Sequence, residues 1–248
     1  MRNNEVRPIF NPALITLISN PTQMLTIDAN FLIPSDRSSL GEHAKALDFD
    51  SFKVIWLDPL IYTFPGLTIH EAVYEEIIQT RVVAEYIDRL LSNTPPQLIK
   101  LSDNVFTDTQ VVFRETVERA IARNTNYDPV IDNKRDRGEV KSLAHIATIG
   151  LLYFCSHDSN AIRLIEDAKR LHTYLDNIGA IKTYEVIYCM FKFKTAKPEG
   201  LRNLYRYLYR YTKAEAAVNP KWSDFLDTMD LLYSQAVTNS PQKPKPVF

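Results

Sequence analysis

Cysteine is nearly absent. The 248 residues include two, Cys155 and Cys189, each inside an apolar run, which excludes a Cys-rich zinc site and points to reduced, buried thiols in a reducing compartment. Long apolar runs are missing too: no segment approaches the ~18 uninterrupted residues that span a bilayer. The opening stretch MRNNEVRPIFNPALITLISNP lacks a positively charged start followed by a long apolar core. These absences predict a soluble, cytoplasmic protein that avoids membranes. No internal repeat is found. HEAVYEE lacks the second histidine of a zinc-protease H-E-x-x-H, and Asp28 is followed two residues later by Asn30, not by the second aspartate that aspartyl-nucleophile phosphatases use.

Net charge is also small, at -1, but it is unevenly spread. Residues 182–221 carry nine basic groups against three acids, a local +6 that leaves -7 for the remainder. With 45% hydrophobic and 24% charged residues, the chain has material for one large domain, or one domain with an appendage.

Apolar patterning predicts strands at LTIDANFLI (25–33), FKVIWL (52–57), QLIKL, LYFCSHD (152–158) and NIGAIK. Helices are predicted over 67–93, from 107, from Asp136 (DRGEVKSLAHIATIGLL), after Asp158 and after Lys182. Residues 124–135 read as a polar loop, and the tail SPQKPKPVF as disordered. Strands alternating with helices imply an α/β fold with a largely parallel central sheet, whose ligands gather at the carboxyl ends of the strands.

Asp28 raises the functional question, because a carboxylate inside an apolar strand is costly unless a partner or cation holds it. Asp28 and Asp158 both lie near predicted strand ends, and Glu75 or Glu76, Asp136 and Glu139 could join them. Converging carboxylates repel one another, and a hard divalent cation such as Mg²⁺ or Mn²⁺ relieves the repulsion. Each acid also has a structural alternative. Asp28 could cap a turn or pair with a lysine, Glu75 and Glu76 could be a solvated helix face, Asp136 could be an N-cap with Glu139 as its capping-box partner, and Asp158 could cap the next helix.

The order of these acids resembles the PIN domain family. LTIDANFLI is similar to its opening strand, AVYEEI to its V-x-x-E-L segment (matching Glu76, with Glu75 as second choice), DRGEVKSLAHIA to its G-E-x-x-x-x-x-A helix (matching Glu139, with Asp136 beside it) and FCSHDSNAIRL to its strand ending in Ser/Thr-x-Asp (matching Ser156 and Asp158). GAIKTYEVIY is similar to its closing strand and helix. The matches cover about residues 24–190, with additional sequence at 34–52, at 93–135 and after 195.

The resemblance implies a PIN-like three-layer fold over 1–195, followed by a helical basic extension (196–239) and a tail (240–248). It implies a metal-dependent endoribonuclease whose catalytic acids are Asp28, Glu76, Glu139 and Asp158, with Asp136 as a further metal ligand and Asn30, Ser156 and Glu75 in support. The alternative is a catalytically inactive PIN-like module that binds RNA or a protein. GLRNLYRYLYRYTKAEA places Arg202, Arg206 and Arg210 at i, i+4, i+8, interleaved with Tyr205 and Tyr209, a pattern suited to phosphates and stacked bases. The competing interpretation is an amphipathic helix with its arginines in solvent. The expected partner is substrate RNA, with an inhibitor protein and a second copy of the chain as further candidates. Toxin, RNA-processing and defence roles all fit these residues.

Overall fold

The computed structural model describes residues 5–40 and 47–239; the predicted tail at 240–248 lies outside them. The chain forms two compact units, one from the described parts of Met1–Gln23, Pro34–Pro65 and Lys182–Phe248, the other from Met24–Ile33 and Gly66–Ile181. The division expected at residue 195 is therefore not where the chain separates: residues 182–195 belong with the helical unit.

The second unit holds the sheet. Its strands are β1 (Leu25–Ile27), β2 (Leu67–His70), β3 (Ile99–Leu101), β4 (Tyr153–Ser156) and β5 (Gly179–Lys182), in the order β3-β2-β1-β4-β5. The sheet is all-parallel and flanked by helices, a three-layer α/β arrangement as expected. Every residue of β1, β2 and β4 is buried, which explains their unbroken apolar or threonine-rich character. In the register of β1 with β2, Thr26 stands opposite Thr68, and the two hydroxyls satisfy each other at 2.8 Å. Val117, Ile121, Val140, Leu143, Phe154, Ile162 and Leu164 form the core beside this sheet.

Three sequence expectations give way to other physics. LTIDANFLI is a strand only to Ile27, and Asp28 caps the short 3₁₀ turn Ala29–Phe31. LTIH, expected at the start of a helix over 67–93, is the buried strand β2, and the helices are Glu71–Ile77 and Arg81–Ser92. FKVIWL is not a strand: Phe49–Phe52, a π-helical turn at Lys53–Leu57 and Asp58–Thr63 run together as helix. Phe52, Trp56, Leu57, Leu60 and Ile61 are among its buried residues, a helical spacing that a six-residue window cannot distinguish from a buried strand.

The helical unit packs around aromatic rings. Tyr205 stacks on Phe225 with centroids 4.5 Å apart, and Tyr188, Tyr209 and Tyr233 are fully buried. Among the described residues, no helix is long and apolar enough to cross a membrane.

Candidate functional site

The strand order fixes where a ligand pocket forms. The chain steps outward from β1 to β2 and β3, then returns to the other side of β1 with β4, so the connections diverge beyond the carboxyl ends of β1 and β4. Asp28 follows β1 directly, and Asp158 lies two residues past β4. Both predicted acids therefore occupy the same end of the sheet, at the switch point.

Asp28 is held from three sides. It accepts hydrogen bonds from the Ala29 N–H (2.7 Å), Asn30 Nδ2 (2.6 Å) and Ser156 Oγ (2.8 Å). Asn30 spans the two strand ends, its Oδ1 taking the His157 N–H at 2.9 Å, while Ser156 Oγ accepts the Asp158 N–H at 2.9 Å. Asn30 and Ser156 thus support Asp28. Burial pushes the Asp28 carboxyl up to about 6, its hydrogen bonds pull the other way, and the charges of Glu76 and Asp158 add to the rise.

Glu139 arrives from the Arg137–Ile149 helix and is buried. Burial first, and then the charges of Asp28, Asp158 and Asp136, push its carboxyl up to about 9 against a weak opposing hydrogen bond from Asn160 Nδ2 at 3.2 Å. Asn160 also donates its backbone N–H to Asp158, so Asp158 does cap the Ser159–Glu166 helix while facing the cluster.

The two adjacent glutamates separate cleanly. Arg137 Nη1 holds Glu75 at 2.7 Å, whereas Glu76 lies at the rim of the cluster, where partial burial raises its carboxyl pKa. Its neighbour across the helix pair is Gly138: a Cβ there would stand 2.9 Å from Glu76 Oε2 and 3.3 Å from Val73 Cγ2. The glycine before Glu139 is what admits the Glu76 carboxylate.

Asp136 departs from both of its sequence interpretations. Its backbone is left-handed (φ 55°), its side chain does not cap the helix, and Glu139 does not fold back to it. The carboxylate turns to Asn126 instead, accepting the backbone N–H at 2.7 Å and Nδ2 at 3.2 Å. Asp136 also acts on Glu139 by charge.

The tyrosines assigned to base stacking are placed elsewhere. Tyr205 and Tyr209 are 0% and 2% exposed, locked among Phe225, Trp222 and Tyr184, so their rings are not offered to a ligand. Arg210 lies past the end of the Pro198–Tyr209 helix and donates to the Asn219 carbonyl. Arg202 and Arg206 remain exposed on that helix.

One group was missed entirely. Among the described residues, His70, Asp103 and His145 are the one set of three or more His, Cys, Asp or Glu side chains whose ligand atoms all lie within 4.8 Å of one another, a spacing that could hold a metal ion. Asp28, Glu76, Glu139 and Asp158 do not form such a set. Residues 70, 103 and 145 form no motif in sequence. Comparison with protein-family models, with curated proteins and with solved structures returns no match.

Proposed function

We propose that the chain is a metal-dependent endoribonuclease of the PIN type, hydrolysing RNA phosphodiester bonds at Asp28, Glu76, Glu139 and Asp158 with Mg²⁺ or Mn²⁺. The observation that carries this is geometric: two buried carboxyls, Asp28 and Glu139, stand with Asp158 at the switch point of a parallel sheet, Glu139 and Asp158 joined through Asn160. Clustered like charges are expensive, and a cation or a proton must relieve them. An all-oxygen donor set favours a hard divalent ion. Held there, such an ion supplies charge neutralisation at the phosphate and a more acidic water.

The chain's own residues orient and protonate the site. Ser156 and Asn30 fix the Asp28 carboxylate, and Asn160 ties Glu139 to Asp158. Glu139 carries a proton at pH 7 that cation binding must expel, so cation affinity rises with pH towards about 9. Arg202 and Arg206 offer two guanidinium groups to RNA phosphates.

The test is cleavage of a panel of structured and single-stranded RNAs by the full chain. Hydrolysis should require Mg²⁺ or Mn²⁺, stop with EDTA and leave 5′-phosphate ends, because water and not the RNA 2′-hydroxyl is the nucleophile. Cleavage that survives EDTA, cyclic 2′,3′-phosphate ends, or no cleavage of any RNA with either ion would overturn the assignment.

Gly138→Ala probes the geometry with one methyl group. The added Cβ displaces the Glu76 carboxylate, the flexible partner in the contact, so kcat should fall on the order of 10- to 100-fold with little change in melting temperature. A variant as fast as the wild type would remove Glu76 from the working set.

A further inference from the structure

A second cluster occupies the same end of the sheet, beyond β2 and β3. His70 is the last residue of β2, Asp103 follows β3 by two residues, and His145 lies on the Arg137–Ile149 helix, six residues beyond Glu139. Both imidazoles turn to one carboxylate oxygen: Asp103 Oδ1 is 3.2 Å from His70 Nε2 and 2.7 Å from His145 Nδ1. The rings are buried.

We propose that His70, Asp103 and His145 form a zinc-class metal site, separate from the acidic cluster, that braces the ends of β2 and β3 against the helix carrying Glu139. Two imidazoles and one carboxylate suit a borderline divalent ion such as Zn²⁺ or Co²⁺ and suit Mg²⁺ poorly. Tetrahedral zinc with bonds of ~2.0–2.1 Å sets its ligand atoms roughly 3.3 Å apart; the His70–Asp103 pair stands at 3.2 Å, and the His145–Asp103 pair, hydrogen-bonded at 2.7 Å, opens by roughly half an ångström when the ion binds.

The surroundings have the form of a supporting shell. Arg114 Nε holds the other Asp103 oxygen at 3.3 Å, leaving Oδ1 as a single ligand, and Glu118 balances the arginine charge at 2.9 Å. Glu71 fixes the loop bearing Asp103 by accepting from Ser102 Oγ at 2.6 Å and the Asp103 N–H at 3.3 Å. The Phe106 ring stacks on His145, with centroids 4.7 Å apart.

Binding makes both rings change tautomer, each moving its proton to the nitrogen facing away from Asp103. For His70 this costs a contact, because Nδ1 accepts the Ala72 N–H at 3.1 Å as the cap of the Glu71–Ile77 helix. One neutral cap bond is small against the affinity of two imidazoles and a carboxylate for a divalent transition metal.

The test uses the chelator-stripped full chain and Co²⁺ alone, with visible absorption and bound-metal analysis. The first equivalent should bind with the spectrum of a low-coordinate nitrogen–oxygen site. It should bind equally in Asp28→Asn, whose acidic cluster is crippled, and at least ~100-fold more weakly in His145→Gln. In the wild type, one equivalent of Zn²⁺ should also shift the imidazole ¹⁵N signals of His70 and His145, a readout that needs no substitution to fold. Unmoved imidazole signals, or cobalt binding lost in Asp28→Asn but kept in His145→Gln, would overturn the site.

Discussion

Glu139→Gln should raise the melting temperature of the cation-free protein at pH 7 while abolishing RNA cleavage. The two effects share one cause. In the unfolded chain the carboxyl ionises near its ordinary value of 4.5, but in the folded chain burial and the charges of Asp28, Asp158 and Asp136 hold it protonated up to about 9. Between those values folding takes up a proton, so wild-type stability falls as pH rises through the window, by at most about 1.4 kcal/mol per pH unit. Gln keeps the shape, ionises in neither state and escapes this penalty. At pH 7 the gain should be on the order of 1–3 kcal/mol, roughly 3–10 °C for a chain of this size. Melting curves of both proteins from pH 5 to 9, without divalent ions, decide it: the difference should widen with pH. Identical curves would mean that Glu139 is not pressed by its neighbours. Added Mn²⁺ should stabilise the wild type more than the variant, because the variant lacks a ligand.

Much of this arrangement is legible in the sequence, for a reason that also explains what is not. Asp28 and Asp158 are conspicuous because an acid at the end of an apolar run conflicts with burial, and parallel strands bring such ends together. Glu139 stands out less by itself, since its position three residues after Asp136 resembles a capping box; only the left-handed backbone at Asp136 excludes that role. His70, Asp103 and His145 leave no trace, because β2, the loop after β3 and a helix supply one residue each and no local pattern is broken. Tyr205 and Tyr209 mislead for the opposite reason. They stand four apart on the face that also carries Leu201 and Leu208, and alternation with arginine obscured a stripe that is simply core. FKVIWL failed on length: six apolar residues fit either period, and only the continuation to Leu60 and Ile61 shows the helix.

Asp28→Asn should also abolish cleavage, but with a smaller effect on stability. Relief of repulsion alone would make the Asn variant more stable, since the Asp28 carboxyl is already pushed up to about 6. The hydrogen bonds offset that relief. All three partners, the Ala29 N–H, Asn30 Nδ2 and Ser156 Oγ, donate to the carboxylate. An amide accepts through one oxygen only. If that oxygen keeps the Ala29 N–H, the new NH₂ faces Asn30 Nδ2 across 2.6 Å, donor against donor. Ser156 can rotate its hydroxyl to accept, but Asn30 cannot turn over without losing the His157 N–H that its Oδ1 accepts. One buried hydrogen bond is lost and one donor is stranded, a cost of about 1–3 kcal/mol that offsets the relief of a carboxyl raised by about two pKa units, itself about 2–3 kcal/mol at pH 6. The variant should therefore fold, melt within a few degrees of the wild type at pH 6, and lose kcat by about three orders of magnitude or more, while binding RNA as the wild type does. An Asp28→Asn protein that melts many degrees above the wild type would show that repulsion, and not hydrogen bonding, dominates the energy of the site.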